Sequence, residues 1–185
     1  MTWTEIAQGI NNTFAAGQTT QPGSNLVGGW RYFPGTQDSD SSTTQWAVTA
    51  LIYGQSLGAV TPQVVKTALA QWYPQVQQAS GVVCYQPSSS PCDHADTGGL
   101  LLGMQFLGKG STDPAVQAAL TFLNANWTQS TDGVWNGNFG DPYAMWAIYK
   151  GLETTIGLSD TATITNLLTD CGAGAGHGPA SGICN

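Results

Sequence analysis

Basic residues are nearly missing from this chain: four Lys and Arg stand against eleven Asp and Glu in 185 residues, a net charge of −7. Four cations cannot neutralise a run of phosphates, so nucleic acid is excluded as a partner. Charge of either sign is scarce, 8% of residues against about 25% in ordinary soluble domains. No apolar stretch approaches the ~18 residues of a membrane-spanning helix, so none is expected. The N-terminus, MTWTEIAQGINNTF, has no basic region followed by an apolar run, so a signal peptide is absent or already removed. Sustained period-two alternation is missing too, and strands are not needed. What the chain does have is 41% hydrophobic residues. That is enough for a core and too much for a disordered segment, in a length that suits one domain.

The four cysteines form two local pairs. Cys84 and Cys92 bracket YQPSSSP, and Cys171 and Cys184 bracket GAGAGHGPASGI. Of the three connectivities that four cysteines allow, proximity favours Cys84–Cys92 with Cys171–Cys184. Free buried thiols and metal ligation are the alternatives, and the metal reading has only His94, two residues after Cys92, to support it. Paired cysteines, few lysines and abundant Ser, Thr and Gln read as an exported protein, secreted or periplasmic, with Met1 standing where a signal was removed. Asn11-Asn-Thr13 and Asn126-Trp-Thr128 fit the N-glycosylation sequon.

The chain repeats itself. Gly28-Gly29-Trp30, Gly81-Val82-Val83 and Gly133-Val134-Trp135 are alike, and their leading glycines lie 53 and then 52 positions apart. Gln77 and Gln129 precede two of these corners, again 52 apart, and Pro62-Gln-Val64 matches Pro114-Ala-Val116 at the same offset. Such periods mark repeat architectures. Each unit reads as a helix pair: 42–58 with a helix begun by Thr61-Pro62, then 96–107 with Asp113-Pro114 to Ala125, then 142–156 with 160–168. Thr61 and Asp113 are expected caps, with the prolines at the first helical position. An N-terminal helix over Thr4–Ala15 precedes them. In the first pair, Trp46, Thr49, Ala50 and Tyr53 share one face, and Val64, Val65, Ala68, Leu69 and Trp72 form the apolar face of the partner helix. Residues 42–57 and 97–107 carry no charge, as expected of helices buried all round. The expected fold is all-α: an α/α toroid-like arc of about three helix hairpins plus the N-terminal helix. Its repeats lie near 28–80, 81–132 and 133–170, within a domain 1–170, followed by a Gly-rich disulfide-closed tail over 171–185.

Gln129-Ser-Thr-Asp-Gly133-Val-Trp135 fits the Q-x3-G-x-W core of a known repeat, and Gln77-Gln-Ala-Ser-Gly81-Val-Val83 is a degenerate copy. Ala119-Leu-Thr-Phe122-Leu123 looks like the outer-helix segment of that repeat. The chain thus resembles the squalene cyclase and prenyltransferase β-subunit repeat family over roughly 28–170. The resemblance implies a toroid around an apolar, aromatic-lined cavity. Those toroids close with five or six helix pairs, so three pairs imply an open arc, an excised portion or one partner of an assembly. Asp38-Ser39-Asp40-Ser41 resembles the D-x-D-D motif of class II terpene cyclases, with Asp40 as proton donor and Asp38 as its partner, and Ser41 departs from the motif.

Asp38, Asp40, Asp93, Asp96 and Asp141 all stand just before an inner helix. In a ring of parallel helices they gather at one mouth, with His94 and Arg31 among them. Helix capping accounts for them without function, and so does the helix dipole. The functional alternatives are acid/base chemistry and a divalent cation held by oxygen ligands. No other cofactor is expected: a zinc site as in the prenyltransferases would need Cys92, Asp93 and His94, which are packed too tightly. G-x-S-x-G is absent, and GAGAGHG has neither a preceding strand nor a following helix. Tyr32, Trp46, Trp135, Tyr143 and Trp146 are expected either to pack between repeats or to line a mouth for an apolar or glycan ligand. The leading functional reading is an exported binding module using that aromatic, acidic mouth. The alternatives are a terpene-cyclase-like enzyme acting through Asp40, and a structural module stacking through its open repeat faces as a homo-oligomer.

Overall fold

The computed structural model describes residues 1–20, 26–87, 91–129 and 137–157. Among them the chain is all-α apart from one minimal hairpin. The helices are α1 (Trp3–Gly17), α2 (Ser41–Ser56), α3 (Gln63–Val76), α4 (His94–Phe106), α5 (Pro114–Ala125) and α6 (Pro142–Thr155). The hairpin pairs β1 (Val83–Cys84) with β2 (Cys92–Asp93), antiparallel, with Val83 opposite Asp93 and Cys84 opposite Cys92. The disulfide between those two cysteines closes it. The strands arise because the cystine holds two short extended segments side by side, a constraint that no alternation in the sequence announces. Cys171, Cys184, the corner at Gly133–Trp135 and the helix expected over 160–168 lie outside the described residues.

Local chemistry sets the helix starts. Thr2 and Glu5 form a capping box on α1. Asp113 accepts from the Ala115 N–H at 3.0 Å with Pro114 at the first helical position, as its sequence implies. The start of α3 differs. Pro62 stands at its N-cap without a side-chain bond, because the Thr61 hydroxyl instead accepts from Asn11 Nδ2 at 3.1 Å and Gln55 Nε2 at 3.4 Å. Asn11 is fully buried in that contact, which closes the first sequon to a glycan.

The core runs along α4. It touches α2 on one side and α6 on the other, with α3 and α5 also against it. Every residue of α4 except Gln105 is buried, as the charge-free run that makes up most of it implies. A Cβ on Gly98 would run into the backbone of Ala147 and Ile148, and Leu101 lies against Gly151, so α4 and α6 run parallel in close contact. In α2 the expectation of all-round burial fails. Ala47, Val48 and Leu51 face the core, whereas Trp46 is 51% and Tyr53 54% exposed. With α1 and α4 on two of its sides, α2 leaves a third face open. On α3 the predicted apolar face is buried except for Val64.

Two corners are built alike. Gly28 and Gly81 both take positive φ, +105° and +94°, a region that favours glycine. A Cβ on Gly28 would land on the Ala68 carbonyl of α3, and one on Gly81 on the Ala118 carbonyl of α5. Two residues on, the Trp30 and Val83 N–H groups each donate at 3.0 Å to a threonine hydroxyl, Thr44 and Thr97 respectively.

Candidate functional site

Asp40, Asp93 and Asp141 are the N-caps of α2, α4 and α6. Each carboxylate accepts from backbone N–H groups of its own first turn: Thr43 at 2.7 Å, Asp96 at 2.8 Å, and Tyr143 and Ala144 at 3.0 and 3.3 Å. Because the helices are parallel neighbours, the caps converge at one end of the fold. Asp96 sits in the first turn of α4, one step inside the position expected for it. These four carboxylates are buried and do not line an open rim; of the five acids, Asp38 alone has a substantially exposed side chain, at 39%.

The buried acids perturb one another. Burial, together with the charge of Asp141 and against the Asp96 N–H bond, pushes Asp93 up to about 6. Burial and the charges of Asp93 and Asp40 push Asp96 well above the usual carboxylate range. Burial, then the charges of Asp96, Asp93, Asp40 and Asp141, raises the Tyr143 phenol. Asp96 Oδ1 and Asp141 Oδ2 are buried without a hydrogen-bond partner, and so is Gln45 Nε2, whose Oε1 accepts from the Tyr143 hydroxyl at 3.3 Å. Among the described residues, no three carboxyl, imidazole or thiol groups are placed to hold a metal ion.

Arg31 stands between Asp38 and Asp40. Its Nε lies 3.1 Å from Asp38 Oδ2, and its Nη1 pairs with Asp40 Oδ2 and the Tyr85 hydroxyl. Asp40 also accepts from Ser42 Oγ at 2.7 Å and Thr43 Oγ1 at 2.9 Å. Every partner of this carboxylate is a donor, the setting of an acceptor. The D-x-D-D expectation places Asp38 on Asp40, and here the guanidinium takes that position. Ser41, at the motif's last position, donates to the Cys84 carbonyl at 2.8 Å. Burial pulls the guanidinium down, but its bonds to Asp40 and Tyr85 carry it above its ordinary value. The disulfide hairpin thus has a role at the site: it sets Tyr85 against Arg31 and Gln86 against Asp38, whose Oδ1 accepts from Gln86 Nε2 at 2.7 Å.

Over this buried cluster opens a cleft of about 540 Å³ whose walls include Phe14, Trp30, Arg31, Tyr32, Trp46 and Tyr143. Trp46 stacks on Trp146 at 4.8 Å and on Tyr143 at 6.0 Å between ring centroids. Tyr32 is 68% exposed at its edge. Of the predicted ligand residues, Arg31, Tyr32, Trp46 and Tyr143 line the cleft, and Trp146 backs it. Asp93, Asp96 and Asp141 are buried and form no part of its wall, and Trp135 is outside the described residues. His94 departs from expectation. It is fully buried, its Nε2 is 3.1 Å from the Asn126 carbonyl and its ring is tilted on Phe122, because the first turn of α4 directs it at α5 and away from the cleft.

Sequence reasoning does not single out Tyr85, Gln86 or Gln45 as site residues, and Tyr85 enters it only as one of the aromatics that could line a mouth. For the first two, their position directly after a predicted disulfide cysteine is the available signal; Gln45 has none beyond its place on an uncharged helix. Compared with protein families, curated proteins and solved structures, the chain finds no match.

Proposed function

We propose that this chain is an exported binding module built from squalene-cyclase and prenyltransferase-type repeats in an α/α arc, which holds a small ligand in the aromatic cleft and performs no chemistry on it. The observation that carries this reading is Trp46, half exposed on the open face of α2 and stacked on Trp146 and Tyr143 at the wall of a ligand-sized cleft. A large ring left in water on an inner helix is a costly placement unless something covers it. The repeat reading is supported by the matched corners at Gly28 and Gly81. Against a cyclase acting through Asp40 stands the all-donor shell around that carboxylate. Titrating intrinsic tryptophan fluorescence with oligosaccharides, isoprenoid alcohols and organic ammonium ions tests the proposal. At least one class gives a saturable change that Trp46→Ala abolishes with the circular dichroism spectrum intact. A flat response to every class sinks it.

A second reading, a self-assembling structural module, is favoured by the apolar groove between α1 and α2, where Trp3, Ile10, Tyr53 and Leu57 are exposed. Sedimentation velocity across a hundredfold concentration range separates the two, since a module of this kind associates and Trp3→Ser with Ile10→Ser prevents it.

A further inference from the structure

We infer that the ligand of the aromatic cleft is an organic cation of the quaternary or tertiary ammonium class, held on the faces of Trp46, Tyr32 and Tyr143 above the buried carboxylates. This rests on the binding reading above and names the chemistry of the same site.

Three observations carry it. The first is what the cleft does not offer. The Thr13 hydroxyl donates to the Gly9 carbonyl, Ser42 and Thr43 both donate to Asp40, and the Tyr143 phenol donates to Gln45, so these donors of its lining are engaged within the protein. The Arg31 Nε and Nη1 are likewise engaged by Asp38, Asp40 and Tyr85. A glycan needs a set of donors and acceptors facing outward as well as a ring to stack on, and these groups are directed into the protein. What remains toward the cleft is the aromatic rings, with the Tyr32 hydroxyl at its edge.

The second is charge. Asp38 and Asp40 pair with Arg31, the sole cation among the cleft's lining residues, and the buried Asp93, Asp96 and Asp141 act on Tyr143 of the same wall. Burial first, and then the charges of Asp96, Asp93, Asp40 and Asp141, raise the phenol of Tyr143, which lines the cleft, so its surroundings are unfavourable to a further negative charge. The same field that opposes an anion there attracts a cation, and burial shields it little with salt. Aromatic faces backed by carboxylates are complementary to a bulky, weakly hydrated positive charge.

The third is a precedent inside the molecule. The Arg31 guanidinium already lies over the Tyr32 ring at 5.3 Å and the Tyr85 ring at 5.6 Å. The site therefore holds one cation against aromatic faces and carboxylates, with the exposed rings of Tyr32 and Trp46 beside it. An inorganic ion does not fit this chemistry, since no three ligating groups converge among the described residues.

The experiment is a calorimetric and fluorescence titration with benzyltrimethylammonium and choline, each beside its neutral carbon isostere, neopentylbenzene or 3,3-dimethylbutan-1-ol. The expected result is saturable binding of the ammonium probes at least about tenfold tighter than their isosteres. Trp46→Ala and the surface change Tyr32→Ala each weaken the ammonium probes several-fold. Equal affinity for cation and isostere overturns the inference and leaves the binding cleft standing. An oligosaccharide that binds while the ammonium probes do not has the same meaning. Failure of every probe, sugars and isoprenoid alcohols included, overturns both.

Discussion

Gln18 and Gln77 make the same pair of hydrogen bonds at two places in the fold. Gln18 Nε2 donates to the Gly28 carbonyl at 2.9 Å and to the Val65 carbonyl at 3.0 Å; Gln77 Nε2 donates to Gly81 at 3.2 Å and to Ala115 at 2.9 Å. Each amide thus ties a glycine corner to the first turn of the helix that flanks it, α3 in one case and α5 in the other.

Losing such an amide strands the corner carbonyl and takes a second bond from a helix carbonyl that keeps its own intrahelical partner. Gln18 is buried, so Gln18→Ala is expected to lower stability by about 2 kcal/mol. Gln77 is only half-buried, and Gln77→Ala loses about half as much, since water reaches the vacated carbonyls. Urea midpoints of the two variants check both the size and the order. Equal losses would mean that the two amides are not distinguished by burial.

Arg31 is the counter-charge of a fully buried carboxylate. Arg31→Ala leaves Asp40 with its helix-cap bonds but no cation, and the expected loss is about 3 kcal/mol. Arg31→Lys recovers less than half, because one ammonium cannot present separate Nε and Nη1 donors to Asp38 and Asp40. Thermal unfolding at pH 7.5 reads this directly, and a shift within error of wild type for Arg31→Ala would contradict it.

Asp93 makes stability fall as pH rises. Its carboxyl titrates near 3.8 when unfolded and at about 6 in the fold, so between those values the folded state holds the extra proton. Stability is fullest below about 4 for this group and drops by about 2–3 kcal/mol as pH climbs through 6, with buried Asp96 contributing in the same direction. Asp93→Asn keeps the cap and removes the titration. Urea unfolding from pH 4.5 to 7.5 is expected to slope downward in wild type and flatten in the variant; a wild-type slope of opposite sign would refute the assignment.

How much of this was readable beforehand depends on how local the governing interaction is. Asp113-Pro114 and the Cys84–Cys92 pair act within a few residues, and both were legible. The α2 face was misread because Trp46 and Tyr53 fit an apolar helical stripe, and only the neighbours on either side determine which stripe is covered. Thr61 looked like a cap until Asn11, fifty residues earlier, is seen to occupy its hydroxyl. Gln18 escaped notice because it stands ten residues before its glycine where Gln77 stands four. The acids were found where the sequence put them, at helix starts, but their burial and their coupling through Tyr143 depend on the parallel packing of α4 and α6.

The glycine corners have a bearing on how the molecule comes apart. The Gly28 corner, which leads into α2, is seated on α3, and the Gly81 corner, which leads into α4, is seated on α5. Each repeat is therefore latched on itself, its outer helix seating the corner that leads into its inner one. Lifting α3 alone would uncover the seat of a corner belonging to the helix before it, and lifting α5 would do the same one step along. Opening is then shared within each pair, so amide protons of α2 and α3 should exchange with solvent at closely similar rates, and those of α4 and α5 likewise.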